Sequence, residues 1–123
     1  MNPNLIKMVQ DNVADLQALI TIKSIEEFEY FCVPGTPFEN STDKMYSIGY
    51  IATLISLRFE TGRFTELLDG LESTMNIFGK FLIIVTKIND KIFALIVPRK
   101  EKLDESYYNF RNIVGKIKES NLL

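Results

Sequence analysis

The chain has 123 residues, of which 46 % are hydrophobic and 24 % are charged, and its net charge is −2. This length and composition are typical of one globular domain, so residues 1–123 are predicted to form a single domain. The weak net charge gives no electrostatic basis for binding nucleic acid. The chain has no histidine and only one cysteine, Cys32, which excludes the usual zinc sites and a disulfide within the chain.

The first half of the chain is predicted to contain a helix, two strands and a second helix. Apolar residues recur at helical spacing over residues 4–15, and residues 17–23 and 27–33 have the composition of two strands. The sequence Pro-Gly-Thr-Pro at 34–37 ends the second strand. A Ser-Thr-Asp cluster of good N-cap residues then predicts a helix over about 43–60.

The second half is predicted to contain three strands and a last helix. Residues 63–70 are predicted to add a short helical turn, and residues 72–78 to form a strand, although a continued helix is the alternative for 72–78. Two apolar runs, 80–88 and 91–97, flank a short polar break and predict a hairpin. An apolar stripe with acidic residues at its start and lysines near its end predicts a helix over 104–119.

The hairpin indicates how these elements are layered. Neither of its strands alternates between apolar and polar residues, so both faces of the sheet must be covered. The order α-β-β-α-β-β-β-α therefore predicts an α+β fold, an α/β/α sandwich around a five-stranded antiparallel sheet. We expect the middle helix on one face of the sheet and the first and last helices on the other.

The middle helix has more apolar surface than one sheet can cover. On a helical wheel, the arc expected to face the sheet contains Met45, Ile48, Ile51, Ala52, Ile55 and Phe59. A stripe of small residues beside it contains Gly49, Thr53 and Ser56. A second apolar arc contains Tyr46, Tyr50, Leu54 and Leu57. This second arc predicts an interface, most simply with a second copy of the chain. The alternative is that segment 34–41, which is predicted to be a loop and contains Phe38, covers the arc.

No motif for catalysis is present. Cys32 has no histidine to activate it and is expected to be a small residue of the core, and neither the P-loop nor the dinucleotide-binding glycine motif occurs. We therefore predict a protein that is not an enzyme and has no catalytic residue, metal or cofactor. The polar N-terminus and the lack of a spanning apolar run predict a cytoplasmic protein without direct membrane insertion. The alternative among binding functions is a small-molecule sensing domain with an aromatic-rich pocket.

The order of elements over about residues 4–119 resembles the Roadblock family. The resemblance is carried by FGKFLIIVTKINDKIFALIVPR, a strand, a glycine turn and a hairpin before the last helix, and by the first helix followed by QALITIKSIEEFEYFCV. The turn Ser24-Ile25-Glu26-Glu27 departs from the Asp-Gly type usual in that family. Longin domains share the central order of elements but typically begin with a strand and end with two helices. The present chain is predicted to begin with a helix and to end with one, which favours the Roadblock family and its profilin-like architecture.

The resemblance implies a function as well as a fold. Roadblock proteins form dimers through their middle helices and third strands, and the resulting platform binds small Ras-like GTPases. The resemblance therefore implies two partners for this chain. One is a second copy or a related Roadblock chain, and the other is a small Ras-like GTPase. On the helix, the resemblance implies an interface role for Tyr46, Gly49, Tyr50, Thr53, Leu54 and Leu57. On the third strand, it implies the same role for Ser73, Met75 and Ile77. A longin-like trafficking or adaptor domain is the alternative within this architecture.

Overall fold

The computed structural model describes residues 1–24, 26–40, 44–60 and 71–123, with the side chains of all of these except 40, 44–47 and 60. The helices are α1 (Pro3–Asn12), α2 (Pro37–Asn40), α3 (Lys44–Glu60) and α4 (Leu103–Ser120). The strands are β1 (Ala18–Ser24), β2 (Glu27–Cys32), β3 (Ser73–Ile77), β4 (Phe81–Ile88) and β5 (Lys91–Pro98). All five strands form one antiparallel sheet in the order β2-β1-β5-β4-β3.

The predicted α+β fold is confirmed, including the strand predicted over 72–78. Two local predictions differ from the structure. The first helix ends at Asn12 rather than at residue 15, because Val13 has extended backbone angles and its N–H caps the helix by donating to the Val9 carbonyl. Segment 34–41 was predicted as a loop but contains the short helix α2. The helical turn predicted over 63–70 lies outside the described residues.

The β4–β5 hairpin forms where the polar break predicts it. Ile88 pairs with Lys91 across a two-residue turn, and Asn89 takes a left-handed conformation with φ 55°. Asparagine tolerates this region better than most residues because its short side chain can hydrogen-bond locally. Both strands lie in the middle of the sheet, so their almost continuous apolar sequences are buried on both faces.

One face of the sheet is covered by α1 and α4. Both helices pack on the inward side chains of β4 and β5. The helix α1 contributes Leu5 and Val9, and α4 contributes Phe110, Ile113, Val114 and Ile117. Phe110 stacks on Phe93 of β5 with ring centroids 5.9 Å apart. The helix α4 is thus fixed to the centre of the sheet by an aromatic pair.

The opposite face of the sheet is covered by α3. Ile48, Ala52 and Ile55 are buried against inward residues of β1, β4 and β5, as the helical wheel predicts. Ile51 and Phe59 are partly buried at the margin of the same cluster. The side chain of Met45, the remaining residue of the predicted arc, lies outside the described residues.

The described residues of segment 34–41 do not cover Tyr50, Leu54 or Leu57 of the second apolar arc on α3. Phe38 of α2 packs edge-on against Phe81 of β4, with centroids 5.1 Å apart, and joins the core under α3. Tyr50, Leu54 and Leu57 remain exposed. The alternative that Phe38 and its segment cover this arc is therefore wrong.

Candidate protein interface

Exposed apolar side chains are concentrated on α3 and at the end of β3. Among the described residues, six large hydrophobic side chains are exposed, and only Tyr108 lies outside these two elements. Tyr50, Leu54 and Leu57 lie on one face of α3, because positions four and three residues apart share a helix face. We call these three, together with Phe78 directly after β3, the α3–β3 patch.

A shallow notch of about 50 Å³ joins the two parts of the α3–β3 patch. Leu54 of α3 and Phe78 line it together with Arg58, Asn76 and three core isoleucines, Ile51, Ile55 and Ile83. The Arg58 guanidinium donates a hydrogen bond to the Asn76 Oδ1, and the Asn76 Nδ2 donates to the Ile83 carbonyl at 3.0 Å. These hydrogen bonds connect α3 with β3 and β4, so the patch lies on elements that are held together.

The strand β3 has one paired edge and one edge without a described partner. The Phe78 N–H donates to the Phe81 carbonyl at 2.9 Å, which places the backbone groups of Phe78 toward β4. Because hydrogen-bonding groups alternate along an antiparallel strand, the N–H and C=O groups of Ser73, Met75 and Ile77 point away from β4. No described strand pairs with that edge. Such an edge is a template for pairing with another chain.

The side chains of β3 divide between the two faces of the sheet. The Ser73 hydroxyl lies 2.9 Å from the Tyr107 hydroxyl of α4, and Met75 packs against the core beneath α1 and α4. Ile77 follows in the same alternation and is exposed at the edge. Ser73, Met75 and Ile77 therefore present their backbone, and not their side chains, to the edge beside the α3–β3 patch.

The stripe of small residues on α3 contacts the protein's own sheet. A methyl group added at Gly49 would lie 3.8 Å from the Phe28 Cζ of β2, which is an ordinary van der Waals contact, so this position faces the Phe28 ring without requiring glycine. The Thr53 hydroxyl donates to the Gly49 carbonyl at 2.8 Å. Ser56 is buried, and its hydroxyl has no hydrogen-bond partner within the described part of the chain. Gly49 thus lies beside Phe28 of the same chain, and its role in an interface stays a prediction.

The structure brings together only part of the predicted set. Tyr50, Leu54 and Leu57 share one exposed surface, whereas the side chain of Tyr46 lies outside the described residues. Phe78, which completes the patch, is not among the interface residues predicted from the sequence. Its signal was available, because an aromatic residue directly before the Gly79 turn continues the alternation of the preceding strand.

Ion pairs outside the patch tie the remaining elements together. Arg111 of α4 lies 3.4 Å from Glu72 at the start of β3, and Lys100 after β5 lies 2.9 Å from Asp15 before β1. The hydrogen bond to Asp15 and the charge of that carboxylate raise the pKa of Lys100 above its ordinary value.

Within the described ranges, no cluster of side chains could hold a metal ion, and no helix is both long and apolar enough to cross a membrane.

Comparison with known proteins identifies the fold through solved structures alone. No protein-family model and no curated protein matches the sequence. A structure of MglB with a tetrameric arrangement is similar with a TM-score of 0.71 and 8 % identity, covering 96 % of this chain and 88 % of that one. MglB from Myxococcus xanthus has a TM-score of 0.68 and 9 % identity, covering 95 % and 94 %. A Roadblock/LC7 domain from Streptomyces avermitilis has a TM-score of 0.63 and 13 % identity, covering 100 % and 98 %.

Proposed function

We propose that this chain, which is a Roadblock-type domain by its fold, is a non-catalytic dimeric platform that binds a small Ras-like GTPase and regulates or scaffolds it. The observation that carries the proposal is the α3–β3 patch next to the edge of β3 with which no described strand pairs. A contiguous apolar surface of this kind is typical of a protein interface. The family resemblance supplies the class of partner, and the similar MglB structure with a tetrameric arrangement shows that a protein of this fold assembles with others.

In the proposed dimer, two equivalent surfaces meet across a twofold axis. Tyr50, Leu54 and Leu57 of one α3 contact the same residues of the other, with Tyr46, Gly49 and Thr53 along the same helix pair. The β3 edges run antiparallel to each other, as a twofold axis requires for two copies of one strand. The outward backbone groups of Ser73, Met75 and Ile77 then form hydrogen bonds between the copies, which continue the sheet across the dimer.

Proline at position 77 tests the pairing of the two strand edges. Ile77→Pro removes an N–H that points to the open edge, where an edge strand tolerates proline. We expect the dimer to dissociate at concentrations where the unmodified protein stays dimeric, with the circular dichroism spectrum of the fold retained. Sedimentation velocity at a series of concentrations measures this.

The matched control for this substitution is the preceding residue. The backbone groups of Asn76 face Ile83 of β4, so Asn76→Pro removes a hydrogen bond within the sheet and should lower the stability of the monomer itself. A dimer that persists unchanged in Ile77→Pro would contradict the proposed strand pairing, although it would leave contact through α3 in place.

A binding assay tests the partner. Each small Ras-like GTPase encoded in the same genome is loaded with GDP or with a non-hydrolysable GTP analogue and titrated with the purified dimer. We expect at least one of them to bind, with an affinity that depends on the nucleotide. Hydrolysis and exchange rates of the bound GTPase then distinguish regulation from recruitment. Failure of every such GTPase to bind in either nucleotide state would refute the GTPase part of the proposal.

A further inference from the structure

A second candidate site lies on the face of the sheet opposite the α3–β3 patch. A cavity of about 260 Å³ opens between the end of α1, the end of β5 and the first half of α4. It exists because α1 ends at Asn12 and the chain then turns at Ala14 and Asp15, where the Leu16 N–H donates to the Val13 carbonyl at 3.3 Å, which leaves space beside α4. The proposed dimer surface on α3 does not include any residue of this cavity.

The floor of the cavity is apolar and belongs to the core. It consists of side chains from β4, β5 and α4 that are nearly inaccessible to water: Ile84, Leu95, Val97, Phe110 and Ile113. Phe110 is fixed by its stack on Phe93. Close packing around these residues holds the floor in place, so the cavity is preformed.

The rim of the cavity is polar, and the two charged side chains that line it, Lys100 and Asp15, pair with each other. Lys100 and Asp15 form an ion pair of 2.9 Å at one side. Asn12 lines the other side, and Lys116, which does not line the cavity, donates to the Asn12 Oδ1 at 2.6 Å and ties α4 to the end of α1. The Asn109 amide of α4 also lines the opening, and no hydrogen bond within the described residues uses it.

We propose that this cavity binds a small uncharged organic molecule with an apolar body and one or two hydrogen-bonding groups. Lys100 and Asp15 already neutralise each other, so a charged ligand would have to displace one of them, whereas Asn109 can donate to or accept from a neutral group. An enclosed apolar cavity of about 150 Å³ binds benzene. The present cavity is open to solvent on one side, and its volume of about 260 Å³ has room for a molecule the size of a bicyclic aromatic.

Indole is a suitable probe, because it is apolar, uncharged and carries a single N–H donor. Titration of the uniformly ¹⁵N-labelled full chain with indole should shift backbone amide signals of residues 12–15, 95–97, 99–100 and 106–113 in a saturable manner. Amides of α3 should not move, which separates this site from the α3–β3 patch. Absence of saturable shifts at millimolar indole, or shifts centred on α3, would overturn the proposal.

A pair of tryptophan variants gives the test its control. Asn109→Trp places an indole ring at the opening, where it should fill the cavity and weaken binding of free indole by roughly tenfold or more, about 1.4 kcal/mol for each factor of ten. Asn112 is exposed on the same helix and does not line the cavity, so Asn112→Trp should bind indole as the unmodified protein does. Equal binding by the two variants would contradict the site.

A second blocking variant guards against misfolding of the first. Ala14 is exposed at the opposite side of the opening, and Ala14→Phe should also reduce indole binding. Folding of each variant is verified by circular dichroism. None of these substitutions lies on the α3–β3 patch, so dimerisation and GTPase binding should persist in all three. The proposals for the two faces can therefore fail independently.

Discussion

Replacing Tyr50 with glutamate is expected to convert the protein from a dimer to a monomer. Tyr50 is 67 % exposed in the single chain and stands beside Leu54, which is 42 % exposed, so the proposed dimer buries both. A carboxylate without a partner at a buried interface costs about 3–5 kcal/mol. The twofold axis places two such carboxylates in one interface. We therefore expect the dimer dissociation constant to rise by at least a hundredfold, about 2.8 kcal/mol.

A second exposed tyrosine provides a closely matched control. Tyr108 of α4 is 68 % exposed and lies outside the α3–β3 patch, so Tyr108→Glu makes the same chemical change at the same exposure. Sedimentation equilibrium should show a dimer for the Tyr108→Glu variant and a monomer for Tyr50→Glu. A clean monomer for the unmodified protein, or the same association constant in both variants, would contradict the proposed interface.

Of the proposed substitutions, Phe110→Ala is expected to lower the free energy of unfolding of the single chain the most. Phe110 is 1 % exposed and its ring stacks on Phe93 at a centroid distance of 5.9 Å. Truncation of a buried phenylalanine to alanine usually costs about 3–5 kcal/mol, because transfer free energy is lost and a cavity remains. Urea denaturation followed by circular dichroism measures the change in the free energy of unfolding.

Position 108 again supplies the comparison, on the same helix. Tyr108→Ala removes an aromatic ring that is mostly in water, so it should change the free energy of unfolding by no more than about 0.5 kcal/mol. A change of less than about 1 kcal/mol for Phe110→Ala would show that α4 is not fixed to the sheet as described.

The elements that sequence patterns predicted best are those buried on both faces. The runs at 80–88 and 91–97 contain too many apolar residues for a half-exposed strand, and they lie in the centre of the sheet. The two apolar arcs of α3 were equally visible, because angular position on a helix follows from residue spacing alone. Among the described side chains, Ile48 of the first arc is buried and Tyr50 of the second is exposed, as the wheel indicated.

What the patterns could not supply is the identity of each neighbour. The wheel placed Gly49 on a stripe beside the sheet-facing arc, but only the three-dimensional arrangement shows that Phe28 of β2 lies there. The alternation of β3 separated Met75 from Asn76 without showing which of them faces α3. The cavity beside Phe110 depends on where α1 ends, and helix ends are the positions that local spacing determines least well.

The two edges of the sheet differ in a way that bears on aggregation. The edge strand β2 carries the exposed carboxylates Glu27 and Glu29, and its register with β1 is interrupted between Ile22 and Ser24. Charges and irregular pairing at an edge discourage further strand addition. The edge strand β3 carries no charged residue. Pairing through β3 would therefore leave a β2 strand at each outer end of the continuous sheet, so that growth stops at two copies and does not continue into a fibre.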